Sequence, residues 1–118
     1  MFKNFNSINS PWGTNTTLLK NNNYKLKILN ILPNEKISLQ KHLHRSEHWI
    51  VLSGIATIVI ENEIYDIKEG EYQFVPQGKK HRIENNSDIC LQIFEIQFGN
   101  ILEESDIIRY EDKYHRKD

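Results

Sequence analysis

The chain has 118 residues, with 15 Lys or Arg against 16 Asp or Glu, a formal net charge of -1, five histidines and one cysteine. That length holds one hydrophobic core, and the balanced charge excludes a surface built for nucleic-acid backbones or anionic membrane lipid. A single Cys90 excludes an internal disulfide and fits a reducing cytoplasm, while no apolar run is long enough for a signal peptide or a membrane span.

In chain order, residues 1–23 are rich in Asn, Ser and Thr and are expected as an N-terminal arm, either a mobile tail or a flap that borrows order from the body or from a second subunit. The body, residues 24–102, reads as β throughout, because short apolar runs are broken every few residues by turn-forming residues. Tyr24-Lys-Leu-Lys-Ile28 alternates. Ile37 to His44 alternates again, with Ile37, Leu39 and Leu43 on one face and Ser38, Gln40, His42 and His44 on the other. A turn is expected at Arg45-Ser46. Trp49–Leu52 and Ile55–Ile60 read as strands buried on both faces, with Cys90 as a further core residue. Glu61-Asn-Glu63 reverses the chain into Ile64–Ile67, and Gly70, Pro76 and Gly78 punctuate short strands around Phe74 and Ile83 before the closing strand Ile89–Phe98. Residues 103–118 form a charged C-terminal tail. Eight to ten short strands in one domain imply an all-β fold, a small antiparallel barrel or jelly roll.

His42, His44 and His48 fall within seven residues, beside Gln40 and Glu47, and His81 follows the Pro76-Gln-Gly78 turn. One histidine on a polar strand face is ordinarily solvated; this grouping of nitrogen and carboxylate donors at strand spacing is what a metal site requires. Without thiolate it suits Zn, Mn, Fe, Co or Ni. Strand geometry brings Gln40, His42 and His44 to one side, where Glu47 could return after the turn and His81 could enter from a separate hairpin; it also permits the set His42, His44, His48 and His81. Glu95 and Gln97 share one face of the closing strand; solvent is their default environment, and Glu95 is a substrate-binding candidate if that face turns inward. Lys79, Lys80 and Arg82 read as solvated, Trp49 as core, and Trp12 as a surface on which a sugar could stack.

These spacings resemble the cupin family. Its first motif, glycine, five residues, His-x-His, three or four residues, Glu, six residues, Gly, is met by Asn34, Gln40, His42, Glu47 and Gly54. Its second, glycine, five residues, Pro-x-Gly, two residues, His, three residues, Asn, is met by Gly70, Pro76, Gly78, His81 and Asn85. Asn34 tolerates the left-handed backbone of the missing glycine, and Gln40 can ligate through its amide oxygen. The Gln-x-His pair, Pro11-Trp-Gly13, the stretch from Ser38 to Trp49 and the end around Arg109 narrow the resemblance to the type II mannose-6-phosphate isomerase domain. That domain is commonly the C-terminal part of a bifunctional guanylyltransferase/isomerase, whose nucleotidyl-transfer half has no counterpart in these 118 residues.

The resemblance implies a cytoplasmic cupin jelly roll that isomerises mannose 6-phosphate and fructose 6-phosphate through an enediol. It further implies one divalent metal, with zinc the leading assignment, on Gln40, His42, Glu47 and His81. His44 and His48 are then the acid/base candidates. Arg45, Arg109 and Arg116 are the phosphate candidates, because a guanidinium fork matches two phosphate oxygens. A homodimer, paired through terminal strands, is expected. The alternatives are another cupin enzyme acting on nucleotide-linked sugars or using oxygen, and a sugar-binding module without catalysis.

Overall fold

The computed structural model describes residues 6–100, 102 and 106–111. They form eleven strands: β1 Asn6–Ser10, β2 Gly13–Lys20, β3 Tyr24–Ile31, β4 Leu39–His42, β5 Arg45–Ser53, β6 Ile55–Ile60, β7 Glu63–Lys68, β8 Tyr72–Val75, β9 His81–Glu84, β10 Leu91–Gly99 and β11 Ile107–Glu111. All pairing is antiparallel, in a six-stranded sheet ordered β1-β2-β3-β10-β5-β8 and a five-stranded sheet ordered β11-β4-β9-β6-β7. This is the cupin jelly roll expected from the sequence. Among the described residues no helix is long and apolar enough to cross a membrane.

The two sheets bury their facing sides against each other, with Ile31, Trp49, Val51, Ala56, Ile58, Ile83 and Ile93 completely enclosed. On β5 and β10 every odd-numbered residue from 45 to 51 and from 91 to 97 is buried, so the period of two runs unbroken along both central strands. Asn34 adopts φ 61°, the left-handed conformation expected of the residue standing in for a motif glycine. Gly13 is constrained differently: a Cβ there would lie 1.8 Å from the carbonyl oxygen of Asn30, so β2 can approach β3 only without a side chain.

Asn85 explains its place in the second motif. Fully enclosed, its Nδ2 donates to the carbonyl oxygens of Ile31, Leu32 and Ile89 at 2.9, 3.1 and 2.8 Å, tying the end of β3 to the loop before β10.

Several expectations are corrected. Of the expected arm, Asn6–Ser10 and Gly13–Lys20 take their order from the body, as β1 and β2 added to the edge that β3 offers. Within the expected tail, β11 pairs with β4. The reversal between β4 and β5 comes at Leu43-His44 rather than Arg45-Ser46. Two backbone N–H groups there, of Leu43 and His44, donate to the buried Asp106 carboxylate at 3.2 and 3.0 Å. Arg82 is buried, because Ile37 O, Glu84 and Glu111 surround its guanidinium, and Lys80 lies 4.3 Å over the Tyr110 ring. Cys90 is exposed, immediately before β10, and is not a core residue.

Replacing Asn85 with Ala strands three carbonyl oxygens, one of them fully buried. Urea unfolding is expected to report a loss of about 2–4 kcal/mol at unchanged m-value.

Candidate metal centre

The inward column of the β3–β10 pair changes character halfway along. Leu91 faces Ile31 and Ile93 faces Leu29; then Glu95 faces Lys27 and Gln97 faces Lys25. Aliphatic packing therefore fills one end of the sandwich, and at the other end the same inward direction presents charged and amide groups. Between the sheets at that end lies a cavity of about 250 Å³, lined by Gln40, Arg45, Glu47, Glu95 and Gln97 among others.

At this polar end His42, Glu47 and His81, all buried, offer ligand atoms within 4.8 Å of one another. Glu47 comes inward from β5 between Arg45 and Trp49; His42 and Gln40 come from β4; His81 opens β9, directly opposite Gln40 in the ladder. The Gln40 amide is oriented by donation from Nε2 to Ser38 Oγ at 3.1 Å, which leaves Oε1 3.0 Å from His42 Nε2. His81 Nδ1 donates to Lys79 O at 2.9 Å, since a carbonyl only accepts, and this turns Nε2 toward Glu47 Oε1, 3.7 Å away. His42 Nε2 lies 3.4 Å from Glu47 Oε2. Two imidazoles, a carboxylate and an amide oxygen converge on one point, and the chemistry of this donor set fits a divalent ion. The Arg45 guanidinium already responds to it: Nη2 is 2.9 Å from His42 Nε2 and 2.8 Å from Glu47 Oε2.

Burial opposes the Glu47 charge, yet the Arg45 guanidinium and His81, with hydrogen bonds from its neighbours, overcome that penalty and hold the carboxyl down at about 2. Glu95 behaves oppositely. Burial and then the adjacent Glu47 charge push it up to about 7, with Lys27 and Arg45 only partly offsetting them. The Trp49 indole N–H is shared by the two carboxyls, 3.1 Å from each.

The set of Gln40, His42, Glu47 and His81 is thus assembled, and that of His42, His44, His48 and His81 is not. His44 sits in the turn with its side chain 52% exposed, 4.0 Å from Asp106. His48 is on the outward side of β5, bonded to the Tyr72 hydroxyl and packed on Phe74 and Phe98 at 4.8 and 5.5 Å. Neither lines the cavity, because the strand ends at His42 and even-numbered residues of β5 face away. Arg45 and Arg109 both line it, Arg109 being opposite Gln40 in the β4–β11 ladder. Arg116 lies outside the described residues. Glu95 and Gln97 are buried in the cavity wall, not solvated, since β10 is central in its sheet. Trp12 is buried with the core and also lines the cavity. Sequence reasoning missed Lys25 and Lys27, which line the cavity although Leu26 and Ile28 mark the opposite face as the apolar one.

The two carboxyls act on stability in opposite pH ranges. With a folded pKa above its unfolded value of 4.5, Glu95 stabilises fully below pH about 4.5, and that contribution is lost as pH rises to about 7. Glu47 stabilises above 4.5 and loses its contribution as pH falls through about 2. For the metal-free protein, the difference between wild-type and Glu95→Gln melting profiles should shrink between pH 4.5 and 8, by up to about 3 kcal/mol. A constant difference would show that Glu95 is not protonated in the native state.

With the geometry in hand, the comparisons are informative. The family model for the mannose-6-phosphate isomerase C-terminal domain matches residues 1–112. A mannose-1-phosphate guanylyltransferase of Salmonella montevideo is 41% identical over 106 residues, 90% of this chain and 22% of that protein. The xanthan biosynthesis protein XanB of Xanthomonas campestris (strain B100) is 37% identical, over 90% of this chain and 23% of its own length. The chain thus spans about a fifth of the length of the curated relatives it matches. Among solved structures, oxalate decarboxylase of Bacillus subtilis superposes with a TM-score of 0.80 at 17% identity, covering 92% of this chain and 30% of that one. The capsular polysaccharide assembling protein CapF of Staphylococcus aureus gives 0.77 at 19% identity, covering 91% and 32%. The solved structures speak for the fold alone; the family match over nearly the whole chain, together with the assembled donor set, establishes that this protein belongs to the mannose-6-phosphate isomerase C-terminal family of cupins.

Proposed function

We propose that this chain is a cytoplasmic, metal-dependent aldose-ketose isomerase that interconverts mannose 6-phosphate and fructose 6-phosphate. The observation that carries the reading is the convergence of Gln40, His42, Glu47 and His81 at a cavity whose lining also holds Arg45 and Arg109. A divalent ion, when bound by those four residues, supplies Lewis acidity to the carbonyl and hydroxyl oxygens of the sugar. Trp49 and Arg45 hold Glu47 in its ionised, inward orientation. Glu95 is the other carboxyl of the cavity wall, and it takes the place expected of His44 and His48. A carboxyl raised to about 7 exchanges protons readily at working pH. In its ionised form it accepts the proton from the sugar C2 and returns it to C1, while the hydroxyl proton of O2 passes to O1, which completes the aldose-to-ketose exchange.

The expected homodimer is part of the same proposal, with a different surface. On β3, β5, β8 and β10 the outward residues, including Ile50, Tyr72, Phe74, Phe94, Ile96 and Phe98, carry no Lys, Arg, Asp or Glu. Phe74 and Phe98 are 42% and 45% exposed. Three strands of eight or nine residues and a fourth of four residues present on the order of 500 Å² of planar face, more than half of the ~800 Å² that a standard interface takes from each partner. An uncharged face without directional pairs suits a second copy of itself across a two-fold axis.

A coupled assay on protein reconstituted with Zn, Mn or Co should show turnover. Substituting His81 or His42 with Ala should lower it at least about a hundredfold together with metal content, and Glu95→Gln should lower it with metal retained. An active Gln40/His42/His81 triple alanine variant would sink the assignment. Sedimentation should find a dimer that Phe74→Glu with Phe98→Glu converts to monomer; a wild-type monomer at tens of micromolar protein rejects the interface.

A further inference from the structure

The period of two along β10 brings an amide, not an aliphatic group, into its last inward position. Gln97 is completely enclosed, in the middle of its sheet, between Glu47 of the metal centre on β5 and Lys25 on β3. Water no longer serves the polar atoms of a side chain buried to that degree, so each of them has a partner in the protein or is left without one. Gln97 Nε2 donates to Glu95 Oε2 at 3.0 Å, and the other oxygen of Glu95 accepts from the Trp49 indole at 3.1 Å. A carboxyl oxygen keeps a lone pair with or without a proton. Trp49 and Glu95 therefore hold the amide in one orientation whatever the charge of Glu95.

That orientation commits Oε1. The atom is buried, belongs to the lining of the cavity, and has no hydrogen-bond partner among the described residues. Asn15 on β2 repeats the pattern: its Oδ1 is buried in the same lining and likewise meets no donor among the described residues. A buried acceptor without a donor is costly, whereas an apolar side chain of similar volume at position 97 would fill the space without that cost. An amide oxygen only accepts, so what it receives must bring the hydrogen. The oxygens of a phosphate or carboxylate cannot do so; a hydroxyl can. Because Nε2 of the same amide touches Glu95, a hydroxyl received at Oε1 stands beside the carboxyl to which the proposed reaction gives the proton.

We propose that Gln97 is a specificity-determining residue: its Oε1 accepts a hydrogen bond from a ligand hydroxyl on the third or fourth carbon, next to the reacting pair, and so selects polyhydroxy ligands over deoxy ones. The inference rests on the sugar-phosphate isomerase reading above and names the group that recognises the sugar beyond its reacting carbons.

The test is a cycle on zinc-loaded protein, wild type against Gln97→Leu, with mannose 6-phosphate and its 3-deoxy and 4-deoxy analogues. Affinity is measured by calorimetry, turnover by a coupled assay, and metal content throughout. In wild type, one of the two analogues should bind about tenfold or more weaker than the parent sugar, because its missing hydroxyl leaves Oε1 unpaired. In Gln97→Leu the same deletion should change affinity by less than about threefold, since no acceptor is left to satisfy. A purely structural Gln97, acting through Glu95, would weaken all three sugars by one common factor, and such additivity for both analogues overturns the proposal. Should Gln97→Leu fail to fold, Gln97→Met, of the same length, decides by the same comparison. A chain that binds the sugars with this non-additivity but turns none of them over refutes the isomerase reading and upholds the acceptor; turnover with additive factors does the reverse. Failure of all three sugars to bind overturns both.

Discussion

A buried carboxylate, Glu47, organises this molecule. Taking an ion of that kind from water into a protein interior is unfavourable by several kcal/mol unless opposite charge and hydrogen bonds surround it. The chain meets that demand from every direction: Arg45 two residues before it, the Trp49 indole two residues after it, and His42 and His81 from the facing sheet. Each of these groups must itself be buried to reach Glu47, and so the polar end of the barrel is built outward from one oxygen pair. Glu95 is part of the same consequence. A second carboxyl beside a fixed negative charge cannot ionise as easily, and the two therefore differ in proton affinity although they share one indole hydrogen.

Much of this was legible in the sequence, for identifiable reasons. The spacings from Asn34 to Gly54 and from Gly70 to Asn85 encode backbone facts: a left-handed residue at 34, a turn before His81, and a carboxamide at 85 that binds three carbonyls. Those requirements are local, so they survive as fixed intervals. What was hidden is non-local. The turn was expected at Arg45-Ser46, two residues late, because the reversal at Leu43-His44 is stabilised by Asp106, more than sixty residues later, which accepts from the N–H groups of Leu43 and His44. Without that contact in view, the alternation extends through His44 and places two histidines in a site they do not enter. Arg82 was misread in the same way: its partners include the carbonyl oxygens of Ile37 and Glu111, neither adjacent in sequence.

The polarity of the larger sheet is also unusual in its layout. At one end its inner face is ordinary core and its outer face contains polar residues such as Asn30 and Gln92; at the other end the arrangement reverses, with Lys25, Lys27, Glu95 and Gln97 inside and Leu26, Ile96 and Phe98 outside. A single sheet thereby offers a polar, cavity-facing surface and an apolar exterior without any extra element.

That reversal makes β3 a frustrated strand. Its second half, with Leu29 and Ile31, favours turning odd-numbered residues inward, whereas its first half, with Tyr24, Leu26 and Ile28, favours the even-numbered ones. Because side chains alternate strictly, a slip of one residue against β10 would satisfy the first half and offend the second. Such a slipped strand would put leucine into the cavity and lysine onto the exterior, erasing both surfaces in one step. The close approach of Gly13 to Asn30 and the opposition of Lys27 to Glu95 both belong to one register alone. Fidelity of alignment in this one strand, more than overall stability, is therefore what separates a folded chain that functions from a folded chain that does not.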